Sequence, residues 1–218
     1  MSERSKRLQS AVLLFALVLL IFLVTTILLS FLPQDLSDLQ GRKEDGSVEA
    51  GGRNLERVLS NAEEQGITVT LSEEEINQWL GTKLAGQQEG LLKGQVSYKG
   101  TWIRLEEGYL DVIIEREAFN RPHTVAMKVE IEQLEESSGR MNSQIHWRGG
   151  RLGQMPVPQG YLLLVMNSFK ALAEAMEPEV SALQSLLEGR GVVTIEEEKL
   201  KIEPRDRSED QRLMQGFQ

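Results

Sequence analysis

The chain has 218 residues, with 33 acidic against 24 basic side chains, a formal net charge of −9 and no cysteine. The acidic balance works against nucleic acid as a partner and against broad electrostatic docking on anionic lipid. The missing cysteines exclude disulfide staples, Cys-based metal sites and thiol catalysis.

Residues 1–10 hold Arg4, Lys6 and Arg7 against Glu3 and carry +2, which leaves −11 on residues 33–218. Between them, residues 11–32 (AVLLFALVLLIFLVTTILLSFL) contain no charged side chain. As a helix this run spans roughly 33 Å, against about 30 Å of bilayer hydrocarbon. The basic residues lie on the N-terminal side, while Asp35 and Asp38 follow the run. The spacing therefore predicts a single-pass anchor with residues 1–10 cytoplasmic and the remainder extracytoplasmic. A cleaved signal peptide is the competing reading, but its apolar core is shorter and ends at a small-residue site, which LSFLPQD does not offer.

Residues 33–53 are polar and glycine-rich without apolar periodicity, and read as a flexible tether. An extracytoplasmic domain is expected over 54–205, followed by a disordered tail over 206–218. Leu55, Val58, Leu59 and Ala62 recur at helical spacing, with Gly66 as a C-terminal stop. Ile67, Val69 and Leu71 then alternate as in a half-buried strand. Ser72 and Glu75 form a capping box, and Ile76, Trp79, Leu80 and Leu84 make the apolar stripe of the helix it opens.

From about 95 to 149 the period falls to two. Leu110, Val112 and Ile114 alternate with Asp111, Ile113 and Glu115; Val125, Met127, Val129 and Ile131 alternate with Ala126, Lys128, Glu130 and Glu132. Breaks at Glu107-Gly108, Asn120-Arg121-Pro122 and Ser137-Ser138-Gly139 carry turn chemistry. The pattern predicts an antiparallel meander with one buried and one wet face. A glycine- and proline-bearing passage, RGGRLGQMPVPQG, ends it.

A helix is expected over roughly 159–176. Its run Tyr161–Met166 is apolar for more than a full turn, which has two readings. The helix is either enclosed between the sheet and a neighbouring helix, or it lines an apolar groove that accepts a lipid-like ligand or a membrane protein. In the groove reading Leu162, Leu163, Val165, Met166 and Phe169 face Val112, Ile114, Met127 and Val129. A second helix follows Pro178, and Val193, Ile195, Leu200 and Ile202 suggest a closing hairpin.

Candidate catalytic groups are sparse. His123 and His146 lie on different predicted strands without metal-ligand spacing and read as surface histidines. Glu73, Glu74 and Glu75 are explained by a helix start, and Glu196, Glu197 and Glu198 by a solvated turn. No nucleophile elbow, P-loop or dinucleotide fingerprint occurs. No catalytic residue, metal site or cofactor is expected.

The anchor, the strand running into L-S-E-E-E-I-N-Q-W-L, the meander, and GRLGQMPVPQG opening an apolar helix together resemble single-pass bacterial membrane proteins of the YpmS type. More widely they resemble tubular lipid-binding (TULIP-like) modules, in which a curved antiparallel sheet wraps a long helix. The resemblance implies a non-catalytic domain on the outer side of the bacterial inner membrane that binds a lipid or another envelope component. The expected fold class is thus α+β: a transmembrane helix, then a curved antiparallel sheet packed on one long apolar helix and shorter helices. The expected role is amphiphile binding in an apolar groove; the alternative is a scaffold or assembly protein of an envelope membrane complex.

Overall fold

A computed structural model describes residues 3–43, 45–48, 51–84, 96–118, 120–135, 141–161, 166, 169–170, 172–174, 176–187 and 192–203. The fold is α+β, with an N-terminal apolar helix followed by antiparallel sheets of five and three strands and short helices.

Helix α1 (Glu3–Phe31) runs through the uncharged segment and back across the basic stub. Within it Gln9–Phe31 is long and apolar enough to cross a membrane, and no residue of its apolar window is buried by the rest of the chain. Two of its hydroxyls serve its own backbone, Thr26 Oγ1 donating to the Phe22 carbonyl and Ser30 Oγ to that of Ile27. A spanning helix requires such internal satisfaction, because hydrocarbon offers no partner.

Helix α2 (Leu55–Gln65) begins where the Asn54 side chain accepts the Arg57 N–H and ends at Gly66 in the left-handed region. Strand β1 (Val69–Ser72) leads without a loop into α3 (Glu73–Leu84). The capping box forms: Ser72 Oγ accepts the Glu75 N–H at 3.1 Å, and the Glu75 carboxylate accepts the Ser72 N–H at 3.1 Å.

The meander becomes β2 (Val96–Glu106), β3 (Tyr109–Ala118), β4 (Arg121–Glu135) and β5 (Met141–Leu152), joined by β6 (Met155–Val157), which the sequence reading leaves in a loop. Asn120 turns the β3–β4 hairpin with φ 59, a conformation asparagine tolerates. After a 3-10 turn at Gln159–Tyr161, residues 169–170 and 172–174 are helical, within the expected 159–176 helix. Helix α4 (Glu177–Leu187) carries Pro178 in its first turn, where a missing N–H costs nothing. The expected closing hairpin is β7 (Val192–Glu196) and β8 (Lys199–Glu203), and β8 also pairs with β1, making a second sheet in the order β1-β8-β7.

The main core lies on one face of the large sheet. Leu105, Ile114, Val125 and Met127 meet Leu59 of α2, Trp79 and Leu80 of α3, Phe169 and Leu172, and Val193 and Ile195 of β7. The outer edge of β2 is closed by side chains of α3. Asn77, fully buried, donates to the Ile103 carbonyl and accepts the Ile103 N–H at 2.7 Å, so its amide stands in for a neighbouring strand. Glu73 accepts the Leu105 N–H at 2.7 Å, and the Glu198 N–H reaches the Leu105 carbonyl.

The opposite face differs from the wet surface that alternation implies. Trp102, Ile113 and Ala126 are buried there beneath Leu36 and Leu39, with Val48 alongside. Residues 33–43 and 45–48, expected within a tether, lie against the sheet instead. Two leucines spaced three apart are too few to register as a period, yet they meet three apolar residues that the strands offer among charged neighbours.

Candidate functional site: the joint between anchor helix and domain

The last carbonyls of a helix have no partner within it. In α1 the domain supplies them. The Gln154 N–H, in the turn between β5 and β6, donates to the Leu29 carbonyl at 2.9 Å, and Gln154 Nε2 reaches the Pro33 carbonyl at 3.2 Å. The preceding residue, Gly153, has φ 57, and its N–H donates to the Thr124 carbonyl at 2.8 Å. A Cβ there would stand 2.4 Å from the Leu32 carbonyl oxygen and 2.6 Å from that of Ser30, so the close approach needs glycine twice over.

His123 stands next to this cap. Its ring is half-buried at the start of β4, beside the end of α1, and Arg116 Nε of β3 donates to its Nδ1 at 3.3 Å. Burial lowers the imidazole pKa, the facing Arg116 charge lowers it further, and the Ser30 carbonyl opposes both. Burial also lowers the Arg116 pKa.

Beyond the joint the chain crosses onto the second face of the sheet and is fastened at close intervals. The Gln34 N–H donates to Thr124 Oγ1 at 2.9 Å. Arg104 Nη2 donates to the Asp35 carbonyl and to Asp38 Oδ1 at 2.7 Å. Leu36 and Leu39 bury against Trp102, Ile113 and Ala126. Glu73 accepts the Gln40 N–H, and Asn77 Nδ2 donates to the Gln40 carbonyl at 2.9 Å. Arg42 pairs with Glu115 at 3.2 Å, and Trp102 Nε1 donates to the same carboxylate. Val48 ends the seat against α3, where only Gly81 leaves it room.

These contacts assign the α3 carboxylates. Glu75 closes the capping box and pairs with Arg53 at 2.8 Å, and its pKa is lowered chiefly by that Arg53 hydrogen bond. Glu73 is more than a helix-start charge. It is buried, and desolvation raises its pKa although two backbone amides hold its carboxylate. Sequence reasoning explains Glu73 by the helix terminus alone and passes over Asn77. The one signal available was a polar residue on the apolar side of α3, one position after Ile76.

The residues expected to line a groove divide three ways. Ile114, Met127 and Phe169 are buried in the main core, with Val112 packed partly buried against it, and Val129 is also buried. Met166 is 45% exposed. Leu162, Leu163 and Val165 lie outside the described residues, as does the expected tail over 206–218. Of the two histidines, His123 belongs to the joint, and His146 stands beside Glu132 at 3.0 Å on β5. Among the described residues no three His, Asp or Glu side chains gather as a metal site needs.

No protein-family model and no curated protein matches the chain.

Proposed function

We propose that this chain is a single-pass, non-catalytic protein of the bacterial inner membrane, its N-terminus cytoplasmic and its α+β domain extracytoplasmic, and that it works as an assembly module for a membrane complex. The observation that carries this reading is the fastened joint. A domain that meets freely diffusing ligands gains little from a fixed attitude to its anchor. A domain that docks beside another membrane protein gains much, because orientation settled beforehand removes part of the entropic cost of association. The engaged carboxylates of α3 support the non-catalytic part, since Glu73 and Glu75 are committed to backbone amides and to Arg53.

The test is photo-crosslinking in intact cells from the exposed side chains Trp147 and Leu134. A discrete adduct with one membrane protein, lost when Gly153→Val opens the joint, is the expected result. The amphiphile reading rests on Met166, exposed beside the buried Phe169. A stoichiometric lipid bound to the detergent-purified full chain, with no protein adduct, would put that reading in place of assembly.

A further inference from the structure

The joint fixes more than an attitude. It brings one end of the large sheet to the level of the anchor's last turn. Gly153, whose N–H bonds the Thr124 carbonyl, packs against the Ser30 carbonyl, and β4 begins three residues before Thr124, at Arg121, so the hairpin tip lies within about 10 Å of chain from that contact. The apolar stretch Gln9–Phe31 is about 35 Å long as a helix. The hydrocarbon core takes about 30 Å of that, and headgroup layers add about 5–7 Å on each side. With α1 across the bilayer, Ser30 stands at the outer boundary of the hydrocarbon and the β3–β4 turn within reach of the headgroups.

The chemistry at this end differs from the rest of the domain. Residues 33–218 carry −11 overall, but the sheet end brings together Lys99, Arg116 and Arg121 with Glu117 and, further along β3, the Arg42-paired Glu115. Lys99 pairs with Glu117 at 2.7 Å. Asn120, Arg121 and Pro122 are exposed, and Pro122 offers no N–H that would need a partner in a crowded interface. Long basic side chains at such a depth extend to lipid phosphates while their stems lie along apolar surface.

We propose that the β3–β4 turn rests in the phospholipid headgroup layer beside the anchor, with Arg121 meeting lipid phosphate. The contact rests on α1 spanning the membrane. It gives the domain a second foothold, so that rotation about the anchor axis as well as tilt is restricted.

Because the chain has no cysteine, single-cysteine labels are unambiguous. Nitroxides at Leu20→Cys, Pro122→Cys and Glu107→Cys in the full chain, reconstituted in phosphatidylglycerol–phosphatidylcholine vesicles, report depth by power saturation with oxygen and a water-soluble nickel complex. The expected order is hydrocarbon at 20, interface at 122 and water at 107. Adding Arg121→Glu to the Pro122→Cys variant is expected to move its label out to the aqueous value, with an unchanged melting curve showing that the domain is folded. A label at 122 as aqueous as that at 107, with 20 in hydrocarbon, overturns the headgroup contact and leaves the anchor intact. A label at 20 in water overturns the anchor and the contact with it.

Discussion

His123 shows how one side chain takes its meaning from what surrounds it. By sequence it is a histidine on a strand, next to a proline and a turn. In the fold its ring sits half-buried between the end of α1 and the Arg116 guanidinium of β3, accepting the Arg116 Nε–H at Nδ1. Protonation would set an N–H against the Arg116 N–H and a charge beside a charge. Its folded pKa lies below the ordinary 6.5 because burial, and then Arg116, disfavour the cation. The unfolded chain therefore binds the proton more readily. The stabilisation is complete above about pH 6.5 and is lost as pH falls through the folded value. The melting temperature of the full chain in detergent is expected to drop on acidification below that point, and His123→Gln to flatten the drop. An unchanged slope in the variant would remove His123 from the joint's energetics.

At the scale of elements, the segment 33–43 with 45–48 is held as firmly as a strand without being one. Its stability is the sum of two buried leucines, a set of backbone bonds to Thr124, Glu73, Asn77 and Arg104, and the Arg42–Glu115 pair. Each buried leucine contributes about 1.5–3 kcal/mol, whereas the Arg104–Asp38 pair, its carboxylate exposed, adds little. Replacing Leu36 and Leu39 together by Asp is expected to cost about 3 kcal/mol or more and to free the segment from the sheet. Trypsin should then cut rapidly at Arg42 and Lys43, sites that stay protected in the parent chain. Equal cleavage rates would mean that the polar bonds alone hold the seat.

The same element explains which strand faces were legible. Alternation in β3 and β4 separates Leu110, Val112, Ile114, Val125 and Met127 correctly onto the core face, because eight or more residues of period two leave little freedom. Ile113 falls among acids in the same pattern and reads as solvated. It is buried because Leu36, some 77 positions earlier, reaches it. The capping box of α3 and the Gly66 stop of α2 were legible for the opposite reason, since each is decided within four residues.

For the whole molecule, the question is whether α1 is retained as an anchor. From the docking of α1 onto the domain through Gln154 and Gly153 we propose that it is kept, whereas a signal sequence is removed after use. The membrane fraction is accordingly expected to hold the chain at its full 24.6 kDa by intact-mass measurement. A mature form beginning near Pro33 would refute the anchor and leave the joint without its helix.

Local order in the sequence was enough to determine the apolar span, α2 with its Gly66 stop, α3 with its capping box, the meander with its turns at Gly108 and Asn120, and hence the α+β class; the expected break at Ser137-Ser138-Gly139 lies outside the described residues. Helical and strand periods, and the length of an uncharged run, are properties of neighbouring residues. The tertiary structure alone decided that residues 33–43 and 45–48 lie on the sheet, that Asn77 and Glu73 close a sheet edge, that β8 pairs with β1, and that Gln154 caps α1. Those outcomes join residues far apart in the chain, as the bond between Gln34 and Thr124 does across 90 positions. A sparse pattern such as Leu36 and Leu39 carries no periodic signal until the surface that buries it has folded.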